Sequence, residues 1–459
     1  MRIRDHFRYL MNRFLTPERT LIFSFFIMIA LGTLLLSLPY SARKTPASLI
    51  DALFTATSAV CVTGLIVVDT GEFYSRFGQT VILILIQLGG LGIMTFSVFF
   101  YSLLGRSVGF RDRKIIQDTF SQNPIKNIYI LLKSVFLFTI IIESFGAIFL
   151  FVGWRTYFPL TTSAYLSLFH SISAFCNAGF SLFSDSLVGF QGNIPLNLSI
   201  TSLIILGGIG FIVLKETSEM GFENRLTHRI SLHSKVVLMV TAILIVLGTF
   251  FIFFIERDNS LSGFSPGKQL LVSYFQSVTS RTAGFNTIPM MGLSNATCFI
   301  LIIFMFIGAS PGSCGGGIKT TNLATLVSLA FSRYQGSDRA SLFKRTIPRE
   351  TVSRSISIIL ASIVAVVIIT IFLLITQLGD LSHPESRGLF LEYLFETVSA
   401  FGTVGLSMGA TAKLDSAGKV IIIVMMFLGR LGPLTMAFAL ARRVKKAAFQ
   451  YAEENIIVG

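Results

Sequence analysis

Four short stretches carry residue types at a spacing suited to replacing the water around a cation: Val62-Thr63-Gly64, Asn177-Ala178-Gly179, Thr282-Ala283-Gly284 and Thr403-Val404-Gly405. They offer no paired carboxylates and no nucleophile beside a base. What they offer is backbone. A cation leaving water needs oxygen ligands in place of its hydration shell, and rings of main-chain carbonyls supply these without adding fixed charge. Aiming successive carbonyls at one axis needs unusual dihedral angles, which glycine adopts most cheaply. Each glycine stands ten residues after an aromatic (Phe54, Phe169, Tyr274, Phe395) and is followed directly by Leu65, Phe180, Phe285 or Leu406. The glycines lie 115, 105 and 121 residues apart, the mark of internal repetition. One such stretch would read as a tight turn between helices; four at matched spacing predict equivalent loops around one axis.

The loops must be held by helices. Residues 54–60, 169–175, 274–280 and 395–401 predict short pore helices, whose negative dipole ends would favour a cation at the membrane centre. The chain is 53% hydrophobic and 13% charged over 459 residues, a balance suited to lipid as solvent. Eight segments approach or exceed the roughly 20 apolar residues that cross a bilayer: about 20–39, 80–104, 128–152, 194–214, 235–255, 295–330 (interrupted), 353–376 and 418–441. They form four pairs, each flanking one loop. The predicted fold is an all-α polytopic membrane protein with four helix–pore-loop–helix repeats around a pseudo-fourfold axis, eight transmembrane helices and four re-entrant pore helices. The repeats are placed at 20–114, 115–225, 226–349 and 350–446, between a cytoplasmic N-terminus (1–19) and a C-terminal tail (447–459).

The net charge of +14 resides in short connections. Basic clusters at Arg2, Arg4, Arg8 and Arg13, after the second span (Arg106, Arg111, Arg113, Lys114), after the fourth (Lys215, Arg225, Arg229), after the sixth (Arg333 to Arg349) and after the eighth (Arg442 to Lys446) all fall on one side. That side is predicted to be cytoplasmic, with both termini on it. No separate basic domain exists to bind nucleic acid. The N-terminus reads as a leader to the first span and not as a signal peptide. Two spans per repeat keep successive repeats in one orientation, unlike the inverted repeats of many carriers. Re-entrant backbone of like orientation must then converge on one buried or water-lined path.

A second signature recurs, its first glycine 24 to 28 residues past each loop glycine: Leu88-Gly-Gly-Leu-Gly92, Leu206-Gly-Gly-Ile-Gly210, Ile307-Gly-Ala-Ser-Pro311 and Leu428-Gly-Arg-Leu-Gly432. Glycine for close helix packing explains the first two copies. In the third copy the helix dissolves into a glycine run; in the fourth the helix is expected to stay regular and carry Arg430. Residues 312–320 nearly match a phosphate-binding loop, but Ile318 separates the last glycine from Lys319, and no strand precedes it. Gly312, Ser313, Cys314, Gly315, Gly316, Gly317 and Lys319, with Arg430, are instead a candidate gate below the filter, the guanidinium binding carbonyls of the loop. Glu143, also at depth, is expected to be structurally paired. Arg281 is expected to point away from the axis and pair with Glu396 or Glu392, and His170 to be a satisfied buried histidine. Cys61, Cys176, Cys298 and Cys314 lack the spacing of a zinc site or disulfide framework.

On these loops, on residues 308–321 (GASPGSCGGGIKTT) and on 428–433 (LGRLGP), the chain resembles the Trk/Ktr/HKT superfamily of cation transporters over essentially its whole length, and specifically the bacterial Ktr-type potassium-translocating membrane subunit. Trk-type relatives usually carry an extra N-terminal pair of spans, and this chain opens on repeat one. The resemblance implies potassium at the filter carbonyls, since glycine in all four loops goes with potassium permeation, whereas plant relatives with serine in the first loop favour sodium. It also implies a homodimer and a cytoplasmic ring of nucleotide-binding regulator of conductance (RCK) subunits, for which the basic residues between Arg333 and Arg354 and the C-terminal tail are the available docking surface. Location in the cytoplasmic (inner) membrane and contact with membrane lipid follow. Outside the glycines the four loops differ, unlike the identical filters of tetrameric potassium channels, so selectivity is expected to be modest. No covalent cofactor is expected. Sodium as a coupling or activating ion, a sodium-permeable transporter of the same architecture, and a carrier for an organic solute remain as alternatives; a membrane enzyme finds no convergent ionisable groups in the loops.

Overall fold

The computed structural model describes residues 17–92, 128–222, 230–379, 381–382, 384–433 and 435–436. Each repeat contributes an outer helix, a pore helix and an inner helix. The outer helices are Pro17–Leu36, Ile128–Trp154, Leu232–Glu256 and Arg349–Leu378; the pore helices are Leu49–Val60, Leu160–Phe175, Pro266–Thr279 and Leu389–Gly402; the inner helices are Arg76–Leu91, Ile194–Gly208, Asn295–Phe306 and Ser416–Leu431. All four inner helices start at a polar side chain that accepts a free amide of the first turn: Ser75 from Gly78, Asn193 from Leu196, Ser294 from Thr297 and Asp415 from Gly418. Such a cap typically contributes about 1 kcal/mol, and here it fixes where each helix starts.

Lys133–Trp154, Leu232–Glu256 and Arg349–Leu378 are each long and apolar enough to cross a membrane. Their outward faces carry Phe145, Phe149, Val246, Phe254, Val364 and Phe372, all exposed. Apolar residues on both the buried and the exposed side of a helix fit a hydrocarbon surround. The pore helices are the reverse case. Short, and enclosed mainly over their C-terminal turns, they bury Ser, Thr and Ala faces together with the fully buried Phe54, Phe169 and Phe395. They also begin earlier than the sequence suggests, by five to nine residues in the first three repeats and six in the fourth, because their first turns reach out past the buried part.

The inner helices depart from expectation in one consistent way. Residues 194–214 do not form one straight span: the helix stops at Gly208 and resumes as Phe211–Phe222 after a bend of 103°. In repeat four the helix is not regular past the signature either, but ends at Leu431, leaving Arg430 in its last turn. The cause is the fifth signature residue. Gly92, Gly210 and Gly432 have φ of +82°, +94° and +84°, a conformation that cannot continue a right-handed helix and that glycine enters at little cost. Inner helix 1 likewise ends at Leu91; the remainder of the expected 80–104 span lies outside the described residues, as do the tail and most of 433–441.

Inner helix 3 ends at Phe306, and helix resumes at Thr320–Tyr334, so the expected interruption is present. Ile307 and Ile318 pair as an isolated parallel bridge, and Ile318 N donates to Phe306 O at 3.3 Å. The intervening residues therefore leave the helix end and return to it as a closed loop.

Candidate functional site

The four loop glycines meet at one place. A side chain on Gly64 would strike the carbonyl of Ala178; on Gly179, that of Ala283 at 2.8 Å; on Gly284, that of Val404; on Gly405, that of Thr63. Each repeat thus abuts the next, and the fourth abuts the first, which is a closed four-membered ring. All four glycines have positive φ, from +69° to +92°. So do the residues two positions earlier, Val62 (+57°), Asn177 (+56°), Thr282 (+78°) and Thr403 (+49°). Three of these are β-branched, for which this region costs on the order of 1–3 kcal/mol each.

The amides explain what holds that strain. Thr63 N donates to Ser58 O at 2.8 Å, Ala178 N to Ser173 O at 2.8 Å, Ala283 N to Thr279 O at 2.9 Å and Val404 N to Ser399 O at 2.9 Å. Gly64 N and Gly405 N donate to the hydroxyls of Ser58 and Ser399 at 3.0 and 3.1 Å. The loop amides are thus tied back to the pore helices. Among the described residues, none of the twelve carbonyls of Val62, Thr63, Gly64, Asn177, Ala178, Gly179, Thr282, Ala283, Gly284, Thr403, Val404 and Gly405 accepts an intramolecular hydrogen bond. Buried carbonyls normally find a partner, so a ring of unengaged ones is an oxygen lining suited to a desolvated cation.

The glycine signature is how the inner helices reach this ring. A side chain on Gly89, Gly207 or Gly429 would strike the last carbonyls of the adjoining pore helices, Val60 O, Phe175 O and Phe401 O. In repeat three, Gly308 instead faces Gly316 O of the loop. The loop lies directly against the filter: Gly316 N donates to Thr403 Oγ1 at 2.9 Å, and a side chain on Gly315 would strike Thr282 Oγ1. Repeat two supplies the other flank, with Cys314 N donating to Gly207 O at 3.1 Å and Phe211 N to Gly312 O at 3.0 Å. Ser313 Oγ donates to Ser310 O at 2.6 Å and Lys319 Nζ to Gly315 O at 2.6 Å, closing the loop on itself.

Arg430 joins the loop to the far side of the ring. Its Nη1 donates to Cys314 O and its Nη2 to Gly89 O, so one guanidinium spans repeats three, four and one. The sequence led to the loop contact; the Gly89 contact was not legible. Gly89 O lies in the last turn of inner helix 1, which Gly92, in positive φ, ends; its carbonyl takes only the 3.2 Å bond from Gly92 N and has its second lone pair open to the guanidinium.

Elsewhere, Glu143 Oε2 accepts from Gln87 Nε2 at 3.3 Å, and its thiol neighbour is Cys176. His170 has both ring nitrogens engaged, by Leu166 O and Ser181 Oγ. Arg281 does not make the expected ion pair. It is buried with Nη2 3.4 Å from Thr241 Oγ1, while Glu396 accepts from Ser407, Met408 and Thr411; among the described residues neither Glu396 nor Glu392 pairs with it. The reason is depth: Arg281 lies past the end of pore helix 3, whereas Glu392 and Glu396 sit in the first two turns of pore helix 4, roughly 9–15 Å away along like-oriented helices.

Comparison with known proteins gives the chain a family. The TrkH family, described as cation transport protein, matches residues 5–450. Among similar proteins, the Ktr system potassium uptake protein B of Bacillus subtilis is 40% identical, with 97% of each chain covered. The potassium/sodium uptake protein NtpJ of Enterococcus hirae is 37% identical over 97% of this chain and 98% of its own. The crystal structure of the potassium transporter TrkH from Vibrio parahaemolyticus shares the fold, with a TM-score of 0.69 at 20% identity, covering 91% of this chain and 84% of that one. Matched along nearly its whole length by the family pattern and by relatives well above 30% identity, the chain belongs to the TrkH family of cation transport proteins.

Proposed function

We propose that this protein takes up potassium across the cytoplasmic membrane through the ring formed by Gly64, Gly179, Gly284 and Gly405, with channel-like permeation driven by the membrane potential. The observation that carries the reading is the ring of unengaged carbonyls on a single path. The names of the relatives point to the same ion, potassium in one and potassium or sodium in the other. Rubidium flux into liposomes containing the purified protein tests it: uptake should be blocked by excess potassium and much less by excess sodium. No rubidium flux, or equal block by the two ions, overturns it. Equal block would favour the sodium-permeable alternative, which the unlike residues around the four glycines and the NtpJ name both support.

Residues 308–321 and Arg430 form the closed state of a gate in this reading. A positive charge beside the path opposes a cation there, while its donors hold the loop across repeats. Because an open leak would collapse the membrane potential, opening is assigned to a homodimer bearing a cytoplasmic ring of nucleotide-binding RCK-type subunits, an assignment that rests on the family resemblance; the relative's name, protein B of a Ktr system, supports only that a further component exists. The exposed basic surface at Arg333, Arg339, Arg345 and Arg349, next to the small hairpin of Ser341–Leu342 and Arg345–Thr346, is the docking face. A protein that runs only as a monomer, with flux indifferent to added regulator and ATP, rules this out.

A further inference from the structure

Two pore helices carry a buried acceptor at the same position, nine residues before the loop glycine: His170 in repeat two and Glu396 in repeat four. They differ chemically yet make the same contacts. Leu166 O can only accept, so the His170 Nδ1 facing it at 2.8 Å carries the ring proton and Nε2 is the acceptor. Nε2 then receives the hydroxyl of Ser181 at 3.1 Å and the amide of Leu182 at 3.4 Å, two and three residues past Gly179. Glu396 Oε1 receives the hydroxyl of Ser407 at 2.6 Å and the amide of Met408 at 2.9 Å, two and three residues past Gly405. Even the next bond matches: Phe183 N donates to Ser181 Oγ at 3.0 Å and Gly409 N to Ser407 Oγ at 2.9 Å.

Repeats one and three lack the device. Thr55 and Phe275 stand at the acceptor position and Ile66 and Asn286 at the serine position; Thr55 instead receives Tyr74 OH at 3.2 Å, and Asn286 N is held by Ser186 of repeat two at 3.2 Å. Because the ring runs in repeat order, repeats two and four are diagonal. Resting on the filter reading above, we propose that His170 and Glu396 are positioning residues that brace the two diagonally opposed strands leaving the filter glycines and thereby set the spacing of the carbonyl ring across that diagonal. A core-filling role would not require the same hydroxyl-plus-amide pattern from an imidazole and a carboxyl. Loss of a brace lets its strand drift outward, and a looser ring discriminates less between a larger and a smaller cation.

The test is the rubidium-to-sodium flux ratio in liposomes for Glu396→Ala, Ser407→Ala and Ser181→Ala, with Gly64→Ser and Thr55→Val alongside. Loss of a strong hydrogen-bond set should lower the ratio roughly tenfold in Glu396→Ala and roughly threefold in each serine variant. Glu396→Gln, which keeps an oxygen for Met408 N, should recover part of it, while Thr55→Val stays at the parental ratio. Should Glu396→Ala fail to fold, the two serine variants decide. Parental ratios in these variants together with a lowered ratio in Gly64→Ser overturn the braces and leave the filter standing. Parental ratios in all of them, Gly64→Ser included, overturn both.

Discussion

A side chain at Gly64 has no room, because it would meet Ala178 O, and no suitable backbone, because φ is +86°. Serine there would push against the neighbouring carbonyl and add a hydroxyl at the ring. Gly64→Ser is therefore expected to lower potassium preference over sodium about tenfold, a shift of about 1.4 kcal/mol between two ions, read as a ratio of uptake rates; equal ratios in mutant and parent would sink the filter assignment. These glycines were legible because their need is local and their spacing repeats. The left-handed Val62, Thr282 and Thr403 were not, since nothing in a β-branched residue announces that conformation, which Asn177 enters more readily; amides tied back to Ser58, Ser173, Thr279 and Ser399 impose it. Arg430 was legible as a charge out of place, but its second partner was not. That partner yields a sharper expectation. A lysine carries its three donors on one nitrogen and lacks the planar fork whose two separate nitrogens bind Cys314 O and Gly89 O. Arg430→Lys should therefore raise regulator-independent flux nearly as much as Arg430→Ala; a lysine variant with parental flux would mean that charge alone closes the path.

The inner helices show how far hydropathy can mislead about an element. Residues 194–214 read as one apolar span, yet Gly210 at +94° turns the chain by 103°. A period or a mean cannot reveal a single left-handed residue, whereas the recurrence of glycine at the fifth signature position could have. The glycine one turn earlier has a different task, letting each inner helix lie on a pore-helix carbonyl. Gly207→Ala would drive a methyl into Phe175 O and should cost on the order of 1–3 kcal/mol by overpacking, seen as an earlier thermal transition in detergent. Gly263→Ala, with open space around it, should leave the transition unmoved; equal behaviour of the two would discount close packing as the role of Gly207. The loop between Phe306 and Thr320 is the extreme of the same theme, with Gly315 and Gly316 pressed beneath Thr282 and Thr403. Deleting residues 315–317 should remove that plug, raising flux and reducing its dependence on regulator. A folded, membrane-inserted deletion variant no faster than the parent would argue against a gate there.

At the scale of the whole molecule the ring has a seam. Repeats one to two, two to three and three to four are joined by the chain, but repeat four must find repeat one without a covalent link. Inner helix 4 makes that junction at both ends: Arg430 donates to Gly89 O at one, and at the other Lys419 Nζ lies 2.6 Å from Asp51 Oδ1 in the first turn of pore helix 1. The two side chains of the outer pair are 17% and 20% exposed, so it is neither a free surface pair nor a dry one. An interaction of about 1–2 kcal/mol is expected, between those two cases. Ser48 supports Asp51 from behind through a 2.6 Å hydrogen bond, which fixes the carboxylate for the lysine. Opening this seam would let Gly405 and Thr63 part, and with them the carbonyl ring. Asp51→Lys or Lys419→Asp alone should therefore lower both the thermal transition and the rubidium-to-sodium ratio, while the double exchange, Asp51→Lys with Lys419→Asp, should recover more than half of each. The coupling in that cycle is expected to be about 1 kcal/mol or more. Strictly additive effects of the two changes would mean that the seam is held by packing and by Arg430, with the ion pair contributing nothing to closure.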